Sequence, residues 1–396
     1  MTTTPISSRE LEWIRASVPR ELEVPVSTKE LERRWTAVRR AMEDRRIDTL
    51  VVYGDGYARW FTDGVAVATV FPRDDEMTVT GQGPFGTDVK SPPGRRGVKR
   101  YLAAPPAGTA PFARQYDAEL VEKALEPYAG GTIGLVGPTT HAAVEHLERK
   151  LTKATFFDVS EIVDAIKVRK SDEEWELIRR SAAMHDEAME AALAAIKPGM
   201  RNCEVAAVAD YVVRRHGTTN GFYLYNSAPI GTPAPLIGGD KTRVLEKGDV
   251  FILLVECPGP GGMYTELGRT AVIGKASQQM KEELEFSMRA QKFTLDLLKP
   301  GALCKEIWES YNQFMRENMR PEERRLHCHG QGYDLVERPI IRIDESMRIE
   351  QSMNIAVHPM YLRNGYYSWI CDSFRIGEHG VTERVYKLPQ KIFEVG

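Results

Sequence analysis

With 396 residues, 42% hydrophobic and 28% charged, and a formal net charge of −3, the chain is too long for one ordinary core and has no basic field suited to nucleic acid. It contains no run of about eighteen apolar residues, so no membrane span is expected, and the polar N-terminus MTTTPISSRELEWIRASVPRELEVP lacks the apolar stretch of a secretory signal. Five cysteines, Cys203, Cys257, Cys304, Cys328 and Cys371, form an odd set without a CxxC pair, the pattern of a reduced, cytoplasmic protein.

In chain order, residues 28–48 carry apolar residues at helical period behind Ser27 or Thr28 as a cap, and DTLVVYG follows as a short strand ending at glycine. The helix–strand order recurs to about residue 160 through TIGLVG and ATFFDVS, which predicts a small α/β domain over residues 1–166. Within it GPFGTDVKSPPGRRGVK, rich in Gly and Pro, reads as an exposed loop. Residues 170–196 predict an amphipathic helix with acidic residues in its first turns, stopped by Lys197-Pro198-Gly199. This helix opens the second domain, residues 167–396.

The second domain repeats itself. IKPGMRNCEV (196–205) and LKPGALCKEI (298–307) both end a helix with Lys-Pro-Gly and open another carrying Glu204 or Glu306. VLEKGDVFILLVE and MRIEQSMNIAVHP then lead through charged turns into apolar strands. A helix–helix–strand unit used twice implies an α+β core with pseudo-twofold symmetry, and a site between its halves would draw residues from both. The GPGG run at 259–262 lacks a P-loop lysine and reads as the hairpin turn that delivers Glu266. In His327-Cys328-His329, His327 reads as a surface histidine, the alternative being a supporting partner for His329. Tyr366, Tyr367 and Trp369 either line a pocket or pack a core.

The paired helix–KPG–helix units, GYDLVERP behind His329-Gly330-Gln331-Gly332, and Tyr264 followed by Glu266-Leu267-Gly268-Arg269-Thr270 stand in one order. In that order the chain resembles the creatinase/prolidase/methionine aminopeptidase family, which has the "pita-bread" fold. The resemblance implies an α/β N-terminal domain, a pita-bread catalytic domain and a homodimer. It also implies C–N bond hydrolysis on a small carboxylate-bearing molecule.

Metallopeptidases of the family hold two ions with Asp, Asp, His, Glu and Glu, because hard divalent ions favour carboxylate oxygens. Carried over one at a time, these fall on Val255, Glu266, His329, His358 and Cys371, and two further family histidines fall on Ile237 and Val336. Glu256 adjoins Val255, but neighbouring strand residues face opposite sides. A dinuclear cage is therefore not expected. Glu266, His329 and His358, with Cys371 as an optional fourth ligand, suit one divalent ion of iron or zinc.

Metal-free catalysis stays open, as creatinase works without metal; then His329 or His358 would transfer protons. Creatinase's own route is not supported, since its proton-shuttling histidine falls on Ile237 and its catalytic glutamates on Gly268 and His358. The creatinase resemblance also points to Phe71 and Arg73, from a Phe-x-Arg pair reaching into the partner subunit's site, and to Arg342 as a carboxylate grip, with Tyr264 as a further substrate contact. Arginine's planar fork matches two carboxylate oxygens. A mononuclear non-haem iron lyase or oxidative enzyme is the second enzymatic reading. A non-catalytic binding module, like the histone-binding pseudo-enzymes of this fold, is the third.

Overall fold

The computed structural model describes residues 25–64, 66–83, 87–90, 96–104, 114–218 and 220–396. The N-terminal segment, expected to lack an apolar leader core, lies outside them. The described chain divides into two compact units. One holds Pro25–Glu173 with Gly332–Arg338, and the other holds Glu174–Gln331 with Pro339–Gly396. The division thus falls slightly beyond the boundary expected near residue 167, and one short later segment joins the N-terminal unit.

The N-terminal unit opens with α1 (Thr28–Asp44), capped by the Ser27 hydroxyl, which accepts from the Glu30 amide at 3.1 Å. Leu31, Trp35, Val38 and Met42 recur along its buried stripe. Its seven-stranded mixed sheet is built from β1 (Thr49–Tyr53), β2 (Ala68–Pro72), β3 (Met77–Gln82), β4 (Thr87–Lys90), β5 (Val98–Ala104), β6 (Thr132–Val136) and β7 (Thr155–Asp158), in the order β4-β5-β3-β2-β1-β6-β7. Strand β4 corrects the loop reading of GPFGTDVKSPPGRRGVK, since Thr87–Lys90 pairs antiparallel with β5 as an edge strand. Residues 84–86 and 91–95 of that stretch lie outside the described residues.

Gly332–Arg338 is fastened into this unit by charge. The buried Glu337 carboxylate lies 3.0 Å from Lys167 Nζ and 2.8 Å from Lys170 Nζ, and accepts the Tyr333 amide at 2.8 Å. Burial pushes its pKa up, but the two ammonium groups prevail and hold it at about 2, against an ordinary 4.5. A carboxylate depressed in the folded state adds stability that is complete above the unfolded value and lost as pH falls toward the folded one. Glu337→Gln is therefore expected to flatten the acid limb of stability between about pH 4.5 and 2. Thermal melts across that window check this, and a variant with the wild-type acid slope would contradict it.

The C-terminal unit realises the repeat. Helices α2 (Asp172–Ala195) and α3 (Asn202–Arg215) precede β8 (Phe222–Pro229), β9 (Asp249–Pro258) and β10 (Tyr264–Ile273). Helices α4 (Gln278–Leu297) and α5 (Cys304–Glu317) precede β11 (Cys328–Gly330), β12 (Glu337–Ile340) and β13 (Asn354–Val357). The two Lys-Pro-Gly turns are stitched alike. Gly199 and Gly301 both sit at φ +93°, where only glycine is unstrained. The Gly199 amide donates to Leu245 O and the Gly301 amide to Ile349 O, each at 2.8 Å. The return bonds, Leu245 N to Met200 O at 2.7 Å and Ile349 N to Ala302 O at 2.8 Å, also correspond.

The first half forms the sheet β18-β10-β9-β8, where β18 is Ile392–Val395. The second forms β12-β11-β13-β16-β17, with β16 (Asp372–Ile376) and β17 (Val381–Arg384). A separate hairpin joins β14 (Met360–Arg363) to β15 (Tyr366–Trp369). The two large sheets meet where the Gly268 amide donates to Cys371 O at 3.1 Å. A Cβ on Gly268 would stand 2.0 Å from the Trp369 ring, so glycine there is what lets the indole lie against β10.

Candidate active site

The site forms at that meeting of sheets. The hairpin β9–β10 turns through Gly261 and Gly262, both at positive φ, and pairs Glu266 directly opposite Glu256. Opposed residues of an antiparallel pair share a face, so both carboxyls stand on one side of the sheet. Val255 and Leu267 stand on the other, in the apolar core beneath α2. From the second half come His329 on β11 and His358 just past β13, whose amide donates to His327 O at 2.8 Å.

One candidate ligand atom from each of Glu266, His329 and His358 lies within 4.8 Å of the other two. All three residues are buried, at 5%, 3% and 2% exposure. His329 Nδ1 is 3.0 Å from the Gly330 carbonyl, which only accepts, so Nδ1 donates there and Nε2 is the nitrogen on the side of Glu266. That Nε2 is 3.3 Å from Glu266 Oε2 but poorly aligned, leaving Oε2 without a hydrogen bond. His358 Nδ1 is likewise buried without a partner, and its ring centroid lies 5.1 Å from that of His329.

Burial pulls the His358 pKa down to about 4 despite the opposing pull of Glu266, so its ring is neutral near pH 7. Burial raises Glu266, but His358 and His329 beside it hold its carboxyl at about 2. Burial first, and then the Glu266 charge, push Glu256 well above the usual carboxylate range. The two facing acids are thus pushed in opposite directions, Glu266 toward its anion and Glu256 toward its protonated form. Glu256 Oε1 accepts from Gln331 Nε2 at 2.7 Å. Gln331 Oε1 accepts from Ser373 Oγ at 3.4 Å, and that hydroxyl accepts the Glu266 amide at 3.2 Å. One polar chain therefore runs from the Glu256 carboxyl to the backbone amide of Glu266.

Two residues of this cluster, Glu266 and His358, each carry a buried polar atom without a partner, and with the second imidazole they form a donor set that fits a single divalent ion. Residues 176–384, more than half of the chain, match metallopeptidase family M24. The chain belongs to that family.

Among its relatives, the Xaa-Pro dipeptidase of Pyrococcus furiosus is 25% identical over 268 residues, covering 66% of this chain and 75% of the relative. The creatinase of a Bacillus species is 25% identical over 399 residues, covering 92% of each. Among solved structures, the prolidase of Pyrococcus horikoshii superposes with a TM-score of 0.73 at 19% identity, covering 91% of this chain and 99% of that one. The X-Pro aminopeptidase of Thermotoga maritima does so at 0.73 and 18%, with the same coverage. The expected fold, an α/β unit followed by a pita-bread unit, stands, and the chain is an M24 enzyme of the hydrolase kind.

Within this M24 chain several expected site residues lie elsewhere. Cys371 is not in the cluster; it packs in an apolar group with Leu254, Val272 and Trp369. Burial, and then the Glu266 charge, raise its thiol well above 9, so it is held as a neutral thiol, whereas a metal ligand would be a thiolate. Neighbouring Asp372 is taken up by Arg269 at 2.8 Å and Gln390 at 2.8 Å. Phe71 is fully buried within the N-terminal core, edge-on to Phe61 at 5.1 Å, and offers nothing to a substrate. Arg73 pairs with Asp74 at 3.1 Å and Asp48 at 3.6 Å. Arg342 is half-buried and pairs with Asp344 at 2.9 Å. Tyr264 stands half-buried at the start of β10, two residues from Glu266 and therefore on its face.

The reading of His327 also changes. His327 is fully buried and stacks on Tyr311 at 3.6 Å between centroids, so it is no surface histidine. Ile237 and Val336, where the family has histidines, are exposed at 67% and 39%. Glu256 and Gln331 were passed over on the sequence. Counting pairs outward from the 259–262 turn is the signal that would have put Glu256 opposite Glu266.

Proposed function

We propose that this M24 chain is a single-metal hydrolase that cleaves a C–N bond in a small, carboxylate-bearing substrate. The observation that carries this is the convergence of Glu266, His329 and His358, with two of their polar atoms buried and unpartnered. These three residues would hold the ion, iron or zinc by donor type. When bound, it supplies Lewis acidity to the reacting centre.

The chain's own residues do the rest. His329, oriented by its Nδ1 bond to Gly330 O, keeps Nε2 aimed inward. Glu256, its carboxyl pushed up by burial and by the facing Glu266 and steadied by Gln331, is the group placed to give a proton to the departing amine. Trp369, lying over Gly268, keeps water from that side of the strand. The same reading takes the enzyme as a cytoplasmic homodimer. Its five cysteines are free, and among the described residues no helix is long and apolar enough to cross a membrane. Support for a peptide-like substrate comes from the Xaa-Pro dipeptidase and creatinase relatives. Nothing in those relatives favours lyase or oxidative chemistry, or a purely binding role.

The test is turnover of Xaa-Pro dipeptides and other small carboxylate-bearing amides by untagged protein, before and after chelation. Hydrolysis should fall on the order of a hundredfold or more on chelation and return with one equivalent of Zn2+ or Fe2+. Hydrolysis untouched by chelation would overturn the single-metal reading.

A further inference from the structure

We propose that the open edge of β7 pairs with the same edge of a second copy of this chain. The two seven-stranded sheets then run on as one across a two-fold axis. This surface rests on the homodimer reading above and names the part of the fold that would carry it.

Strand β7 stands last in its sheet, with β6 as its neighbour among the described residues. The two run parallel, Ile133 opposite Phe156 and Leu135 opposite Asp158. Thr155 N donates to Gly131 O at 3.1 Å and Val159 N to Leu135 O at 2.9 Å, so the odd-numbered residues bond inward. Phe156 and Asp158 therefore turn their N–H and C=O groups outward, and among the described residues those groups have no partner. Backbone groups left open along an edge are a template for another strand. Proline, lysine and bulges commonly block such pairing, and the four residues Thr155, Phe156, Phe157 and Asp158 supply none of them.

The edge is complementary to itself. An antiparallel pairing centred on Phe157 sets Phe156 of one copy opposite Asp158 of the other. Each such pair exchanges two backbone hydrogen bonds, and every outward group of the strand is satisfied. Phe157 then meets its own counterpart in the non-hydrogen-bonded pair at the axis, where side chains stand closest. Phe157 is 54% exposed, whereas Phe156 packs on the apolar core of its own unit.

Charge obeys the same symmetry. Exposed Lys150 and Lys153 precede the strand, Asp158 closes it, and Glu161 follows. Glu161 also meets Arg338 at 3.2 Å, yet its side chain stays 85% exposed. A two-fold axis through Phe157 lays the basic end of each strand against the acidic end of the other. Parallel pairing would set like charges together, and a slip of one residue would break the match of outward groups. A second copy is therefore the occupant that fits.

Disulfide trapping with Phe157→Cys and Thr155→Cys, run beside sedimentation velocity, tests the surface. Under mild oxidation Phe157→Cys should cross-link at least tenfold more than wild type, whose native cysteines set the background. Its β-carbons would face each other at about 4.5–5.5 Å. Thr155→Cys is equally exposed, but its two copies would lie roughly 13 Å apart along the strands, so it should remain near background. Phe157→Arg should weaken self-association at least tenfold, and its exposed position leaves the fold intact. Cross-linking of Phe157→Cys no greater than that of Thr155→Cys, or a Phe157→Arg protein as dimeric as wild type, would overturn this surface while leaving the homodimer standing. A wild type that sediments as a monomer at all concentrations would overturn both.

Discussion

Replacing His358 by alanine is expected to strip the bound ion and to lower hydrolysis by on the order of a thousandfold. Changes to residues that merely support a ligand cost roughly ten- to a hundredfold in metal affinity, and loss of one ligand of three should exceed that. The fold should suffer less. His358 Nδ1 has no protein partner, so removing the ring strands no hydrogen-bonding group there and leaves chiefly a cavity. His185 provides the control, because it is equally buried but fully engaged. Its Nδ1 meets Thr265 Oγ1 at 3.1 Å and its Nε2 meets Cys257 O at 3.2 Å. His185→Leu should cost about 1–3 kcal/mol of stability by orphaning those groups, while the ion stays bound. Metal content and kcat/KM of the two variants, measured beside their denaturation midpoints, separate the roles. A His358→Ala protein that keeps both ion and activity would refute its place in the site.

Asp372→Ala is expected to carry the largest stability loss, about 3–5 kcal/mol. The carboxylate is completely buried and faces Arg269 at 2.8 Å, Arg384 at 3.2 Å and Gln390 at 2.8 Å. Arg269, itself 2% exposed, also donates to the carbonyls of Gly268, Cys371, Leu388 and Pro389. Together these bonds fasten β10 to the start of β16 and to the chain approaching β18, and so hold the two sheets in register beside the site. Removing Asp372 leaves a guanidinium charge buried and uncompensated, which costs far more than losing a surface pair. Urea unfolding should show a lower midpoint with an unchanged slope. Arg269→Met combined with Asp372→Ala should recover part of the loss, since the stranded charge is then gone. A midpoint equal to that of wild type would show that the pair contributes nothing.

The helices and the doubled unit were legible because local chemistry dictates them. Each Lys-Pro-Gly stops a helix wherever it occurs, and the two turns prove to be bonded alike through Leu245 and Ile349. Glu266, His329 and His358 were legible as a set because an ordered motif carries position along the chain, and they do converge. What escaped was facing. A strand residue turns to the opposite side with a shift of one position, and only the pairing decides it. Glu256 was set aside as pointing away from the site, yet the register of β9 with β10 places it opposite Glu266. Cys371 was expected among the ligands, but its thiol stays outside the cluster, donating to the Glu266 carbonyl at 3.6 Å beside Leu254 and Trp369. Phe71 was read through a short motif, although its ring belongs to the core of a seven-stranded sheet. His327 looked like a surface residue because nothing in its own segment announces that Tyr311, from the preceding helix α5, stacks on it.

Elemental analysis of untagged protein, run beside its His329→Ala variant, bears most directly on the single-ion centre. About one iron or zinc per chain in the wild type, and none in the variant, is the predicted result. Two ions per wild-type chain, or an active wild-type protein containing no metal, would contradict it.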